Sequence, residues 1–71
     1  MIPITFVEEG KKVKVKDVKL NDKFSKRINE MGINKGSLIE IIKNDGEYMI
    51  LGVNESRFAV SKIMAQKIIV E

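Results

Sequence analysis

The 71-residue sequence predicts a mainly β fold: a small barrel of five short strands with one short helix after the first long strand. Three observations carry this expectation. Eleven Ile and seven Val make up a quarter of the chain, and β-branched side chains pack well on a pleated sheet but lose rotamers in a helix. Apolar and charged residues alternate at period two in several short runs. Those runs are punctuated by Gly, Asn and Asp at turn spacing. Closure into a barrel suits so short a chain because it removes exposed sheet edges.

The N-terminal stretch, residues 2–10, allows two readings. Thr5 and Glu8 have capping-box spacing, which allows one turn of helix ended by Gly10, whereas Ile4 and Phe6 could alternate as a strand. A brief turn that tucks both Ile4 and Phe6 under the core is preferred. Residues 11–19 form the clearest strand, with Val13 and Val15 facing in and Lys12, Lys14 and Lys16 facing out. Val18 is out of phase and marks a bulge or bend.

Residues 21–31 read as the one substantial helix. Asn21 or Asp22 caps its start, and Phe24, Ile28 and Met31 fall at i, i+4 and i+7 on one face. Gly32 stands where a left-handed residue ends a helix. Asn34-Lys35-Gly36 is a turn. Residues 37–43 form a strand with Ile39 and Ile41 on one face and Glu40 on the other. Asn44-Asp45-Gly46 reads as a hairpin turn, since Asp and Gly tolerate positive φ. Residues 47–53 return as its partner, apolar on both faces. Asn54-Glu55-Ser56 turns the chain again, and residues 57–60 form the fourth strand. Ser61 caps a single helical turn through Gln66 that packs Met64 and Ala65. Residues 68–70 close as the last strand, and the three phenylalanines are expected in or near the core.

Composition excludes several functions. The chain has no Cys and no His, so thiolate or imidazole catalysis, disulfides and the usual zinc sites are absent. The longest apolar run is five residues, at 49–53, while a spanning helix needs about 20. With no signal sequence and no disulfide staple, a cytoplasmic protein that is not inserted in a membrane is expected. A chain of this size buries only about 60% of its unfolded surface, which leaves little room to carve a catalytic pocket. A binding or regulatory module is therefore expected, not an enzyme, with no cofactor and no metal site.

The net charge of +3 is uneven. Residues 11–27 hold eight cations against Asp17 and Asp22, while Glu8 and Glu9 make the first ten residues acidic. A basic stripe can meet phosphates, an acidic protein or water. Single-stranded nucleic acid is usually gripped by exposed aromatics as well, and the chain has one Tyr and no Trp, so a solvated strand face is the stronger account of Lys12, Lys14 and Lys16. The segment from Gly32 to Ser37 has the outline of a phosphate loop. It has three residues, not four, between its glycines, and they follow a helix instead of leading into one. A helix cap and a turn explain both Gly32 and Gly36, which are assigned structural turn roles. The adjacent carboxylates of Glu8 and Glu9, with Glu40, Asp45 and Glu47, match no calcium-loop spacing and read as surface charge.

The order Pro3-Ile4, Gly10, then Arg27-Ile28-x-x-Met31-Gly32-Ile33-x-x-Gly36 resembles the ferrous iron transport protein A family, whose pattern reads Arg-Leu-x-x-Met-Gly-Leu-x-x-Gly. Ile39-x-Ile41, Phe58-Ala59-Val60 and Ala65-x-x-Ile68-x-Val70 resemble its later strands, so the likeness covers nearly the whole chain. Two turns depart from the pattern. A Pro-and-Gly-rich hairpin is reduced to Asn44-Asp45-Gly46, and a later hairpin Gly is replaced near Asn54, Glu55 and Ser56. The resemblance implies an SH3-like barrel and a cytoplasmic accessory of bacterial ferrous iron uptake, whose partner is the cytoplasmic GTPase domain of the membrane transporter. Similar domains end metal-dependent repressors. The start at Met1 without DNA-binding helices favours the free-standing accessory.

The expected partner-binding residues lie on two surfaces. One is the solvent side of the helix, Lys23, Arg27 and Glu30, continued by Asn34 and Lys35. The other is the Asp45-Gly46-Glu47-Tyr48 hairpin, with Tyr48 as an aromatic anchor. Iron need not touch the chain, because carboxylates alone hold such ions with little selectivity. Alternatives are a basic barrel binding nucleic acid and a metalloregulator-type domain. Self-association is left open.

Overall fold

A computed structural model describes residues 1–19 and 23–71. Nine elements follow one another: β1 (Ile2–Pro3), a 3₁₀ turn (Ile4–Phe6), β2 (Lys12–Val18), α1 (Lys23–Glu30), β3 (Leu38–Asn44), β4 (Tyr48–Val53), β5 (Ser56–Ser61), α2 (Lys62–Ala65) and β6 (Ile68–Val70). All strand pairings are antiparallel, in the order β1-β6-β2-β3-β4-β5.

The expected strands are all present, with one more than the five foreseen: the extra strand is β1, which pairs with β6. The sheet also stays open among the described residues, because its two outer strands, β1 and β5, are not bonded to each other. The reason lies in β1. It has only two residues, and one of them, Pro3, has no N–H to donate, so it offers almost no ladder to extend.

β2 bends the sheet. Its first half pairs with β3 and its second half with β6, and the register slips between Val15 and Asp17. That slip is the bulge signalled by the phase of Val18: both Val15 and Val18 are buried on the same side. A second slip bends β3 between Ile41 and Lys43. Among the described residues the core is entirely apolar, with Ile4, Ile28, Ile33, Ile39, Ile41, Met49, Leu51 and Ile68 fully buried. Val13, Phe24 and Phe58 pack against its margin.

The N-terminal turn differs from expectation in an instructive way. Thr5 and Glu8 form no capping box; Pro3 precedes the turn and no side chain caps it. Phe6 is not tucked under the core but 72% exposed. A 3₁₀ helix has three residues per turn, so positions i and i+3 share a face. Ile4 and Val7 therefore go inward together, and Phe6 points elsewhere.

The helices follow the sequence closely. α1 buries Ile28, with Met31 just beyond it. The expected caps Asn21 and Asp22 lie outside the described residues. Ser61 caps α2, its Oγ accepting a hydrogen bond from the Met64 amide at 3.1 Å, and Met64 and Ala65 are buried as expected. The turn between β3 and β4 shows no positive φ at Asp45 or Gly46. Positive φ appears instead in the β4–β5 hairpin, at Asn54 (50°) and Glu55 (70°), the pair that a two-residue turn matched to the sheet twist demands.

Candidate functional site

The end of α1 is fixed by a glycine. Gly32 has φ +87°, and its amide donates to the Asn29 carbonyl at 2.9 Å while the Ile33 amide donates to the Ile28 carbonyl at 3.2 Å. These two bonds are the Schellman pattern, and the accompanying apolar contact is supplied by the buried pair Ile28 and Ile33. The helix end sits against the β4–β5 turn. A Cβ added to Gly32 would lie 3.1 Å from Asn54 Nδ2 and 3.8 Å from a Val53 methyl.

Ser37 then locks the next turn. Its Oγ donates to the Gly32 carbonyl at 3.1 Å and accepts from the Asn34 amide at 2.9 Å. The turn is tied to β2 by the Gly36 amide on the Val15 carbonyl and the Val15 amide on the Ser37 carbonyl, both at 2.9 Å. Gly36 has φ +89°. Both glycines are thus accounted for by chain geometry.

These constraints leave Lys23, Arg27, Glu30, Asn34 and Lys35 exposed. The Lys23 ammonium lies 5.5 Å from the centre of the Phe24 ring, over the half-buried aromatic. Lys23, Arg27 and Glu30 form one stripe along α1. Asn34 and Lys35, however, border a groove of about 330 Å³ whose other walls are Asp17, Val18 and Asn29. At about 100° per helical residue, the stripe is turned by 100° or more around the helix from Asn29. The helix thus presents its charged stripe and its groove-lining amide in different directions. Asn29 and Asp17 were not singled out in the sequence. The phase slip at Val18 was the available signal for Asp17, and Asn29 gave none.

Tyr48 stands apart. It opens β4, while Val53, beside the α1 end, closes it, a separation of about 17 Å at the usual rise per residue. The two expected surfaces therefore occupy opposite ends of one strand. At the Tyr48 end, Lys43 Nζ lies 5.7 Å from the centre of the Tyr48 ring and 3.6 Å from the Asp45 carboxylate. The nearby Tyr48 side chain and then the charge of Asp45 hold the Lys43 ammonium above its ordinary pKa. A shallow recess of about 320 Å³ runs over Asp45, Gly46, Glu47 and Tyr48.

Lys12, Lys14 and Lys16 are exposed along β2, opposite the inward Val15. Lys12 pairs across the sheet with Glu40. Among the described residues, no three acidic side chains converge on a common point, and no helix is long and apolar enough to cross a membrane.

A bent antiparallel sheet with a helix inserted after its long strand defines a small SH3-like domain. A family model described as the FeoA domain matches residues 2–71. A protein of Methanocaldococcus jannaschii, provisionally named Fe(2+) transport protein A, is 35% identical over all 71 residues of this chain and 87% of its own length. The solution structure of a FeoA-like protein from Clostridium acetobutylicum superposes with a TM-score of 0.88 at 32% identity, over 99% of this chain and 84% of that one. The zinc-complexed FeoA of Stenotrophomonas maltophilia, described as an SH3 domain protein, has the same fold, with a TM-score of 0.89 at 23% identity over 100% of this chain and 91% of that one. The chain belongs to the FeoA family, which is associated with ferrous iron transport.

Proposed function

We propose that this chain is a cytoplasmic, non-catalytic accessory of a membrane ferrous iron transporter, docking on its GTPase domain and biasing its conformation or GTP turnover. The observation that carries this reading is the family match along residues 2–71, together with the 35% identity to a protein named for Fe(2+) transport. The surface supports it. The described grooves are shallow, and the exposed charges Lys23, Arg27, Glu30 and Lys35 sit on a rigidly capped helix and turn. Tyr48, at the far end of β4, offers a second contact. Docking shifts the transporter only if one of its states is bound better than another.

The test is a ¹⁵N-NMR titration with the purified GTPase domain at about 50 and 200 mM salt, with an oligonucleotide as control. Shifts at Arg27, Lys35 or Tyr48 that persist at the higher salt support docking. Shifts along residues 11–19 with the oligonucleotide alone, lost at the higher salt, overturn it in favour of nucleic-acid binding.

A further inference from the structure

The backbone on both sides of the exposed Phe6 is held in place. The Asn44 side-chain amide donates to the Thr5 carbonyl at 3.2 Å and to the Val7 carbonyl at 2.8 Å, so its two bonds bracket Phe6. The Asn44 backbone amide donates to Glu9 Oε2 at 2.9 Å, and the Val7 amide closes the turn on the Ile4 carbonyl at 3.0 Å. Ile4 and Val7 are anchored in the core. The ring cannot turn inward without breaking these bonds or expelling Ile4 or Val7. An aromatic held in solvent by a fixed backbone gains nothing for the fold, but that fixed backbone lowers the ordering cost of binding a partner.

Phe6 borders a groove of about 350 Å³ lined by Pro3, Thr5, Phe6, Lys19, Gln66 and Lys67. Its apolar walls are Pro3 and Phe6, its neutral donors and acceptors are Thr5 and Gln66, and both charges among its described lining residues are positive. Ile63, 65% exposed, lies three residues before Gln66 on the same side of α2 and extends the apolar margin.

We propose that this groove is a docking site for an extended segment of a partner protein that carries a carboxylate next to an aliphatic or aromatic side chain. The apolar side chain packs on Phe6 and Ile63, the carboxylate meets Lys19, and Gln66 is placed to bond the segment's backbone. An anionic membrane fits less well, because Glu8 and Glu9 lie two and three residues after Phe6 and would be pressed toward like charge. The site deepens the docking reading above by naming a surface and the chemistry of its occupant. Its test uses no transporter, so either reading can fail without the other.

A random peptide library is panned on the intact protein, and binding of the enriched peptides is measured by fluorescence polarisation. Enriched sequences are expected to place Asp or Glu beside Leu, Ile, Phe or Trp and to shift the amides of Thr5, Phe6 and Gln66. Phe6→Ala should weaken binding at least tenfold with an unchanged melting profile. Lys19→Glu should weaken it severalfold and flatten its salt dependence. Asn44→Ala, which frees the backbone without removing the ring, should weaken binding less than Phe6→Ala. The proposal is overturned by no enrichment, by enriched peptides without acidic residues, by equal binding to Phe6→Ala, or by Phe6-dependent sedimentation with phosphatidylglycerol vesicles in place of peptide binding.

Discussion

At the Val53 end of β4, the chain is shaped by neighbours in sequence. Gly32 turns left-handed, the bonds to Ile28 and Asn29 close within five residues, and Ser37 reaches back to Gly32. At the Tyr48 end, the chain is shaped by partners far away: the Asn44 side chain bonds carbonyls 37 and 39 residues earlier. The first end rests on apolar burial and glycine geometry, the second on polar bonds between remote segments. Two ends of one strand thus show two ways of presenting a surface: a capped helix and turn, and a clamped turn that lifts an aromatic into solvent.

The contrast breaks most readily at the helix. Ile28 is fully buried and is also the carbonyl partner of Ile33. Ile28→Ala should cost about 2–5 kcal/mol, enough to leave so small a domain largely unfolded, as urea denaturation would reveal. Gly32→Ala should cost about 1–2 kcal/mol from the positive φ alone. The 3.1 Å approach to Asn54 adds to that, and the double variant with Asn54→Ala should recover only the contact part in the same assay.

At the other end, Asn44→Ala removes two side-chain hydrogen bonds while sparing the amide bond to Glu9. A loss of about 1–2 kcal/mol is expected. Hydrogen exchange should quicken at residues 4–9 while protection of α1 stays unchanged; equal loosening at both ends would show that the two are coupled. Glu55→Gly acts in the opposite direction. Glu55 holds φ 70°, a left-handed conformation that glycine adopts without the Cβ penalty, so the substitution should stabilise by about 0.5–1 kcal/mol, read as a raised melting temperature.

The smallest effect concerns Lys43. Its folded pKa is raised above the ordinary 10.5 by Tyr48 and then Asp45, so its contribution is fully present below that value. It is lost as pH climbs through the raised folded value. Both partners of the ion pair are well exposed, so the loss should be slight. Lys43→Met should flatten that part of the stability profile and leave neutral pH nearly untouched.

Much of this architecture was legible because its causes are local. Alternation gave Val13 and Val15 on one side of β2 and Ile39 and Ile41 on one side of β3. Helical spacing gave Ile28 and Met31, and Gly32 and Ser61 announced a helix end and a helix start. A brief turn was expected to bury Ile4 and Phe6 together, but a 3₁₀ turn repeats every three residues and pairs Ile4 with Val7, leaving Phe6 outside. The β3–β4 turn misled as well, since Asp45-Gly46 advertises a positive φ that the structure places at Asn54 and Glu55.

The sequence by itself determined the β-rich class, the helix and its buried face, the glycine-built turns and the family likeness. Each rests on side-chain periodicity or on the conformational freedom of a single residue, both set within a few positions of the chain. That the sheet stays open among the described residues, that Asn29 rather than Arg27 shares a groove with Lys35, and that Asn44 clamps the turn beside Phe6 follow from the three-dimensional fold alone. Those features depend on which segments topology brings together, and a hydrogen bond across 39 residues leaves no periodic trace in the order of the amino acids.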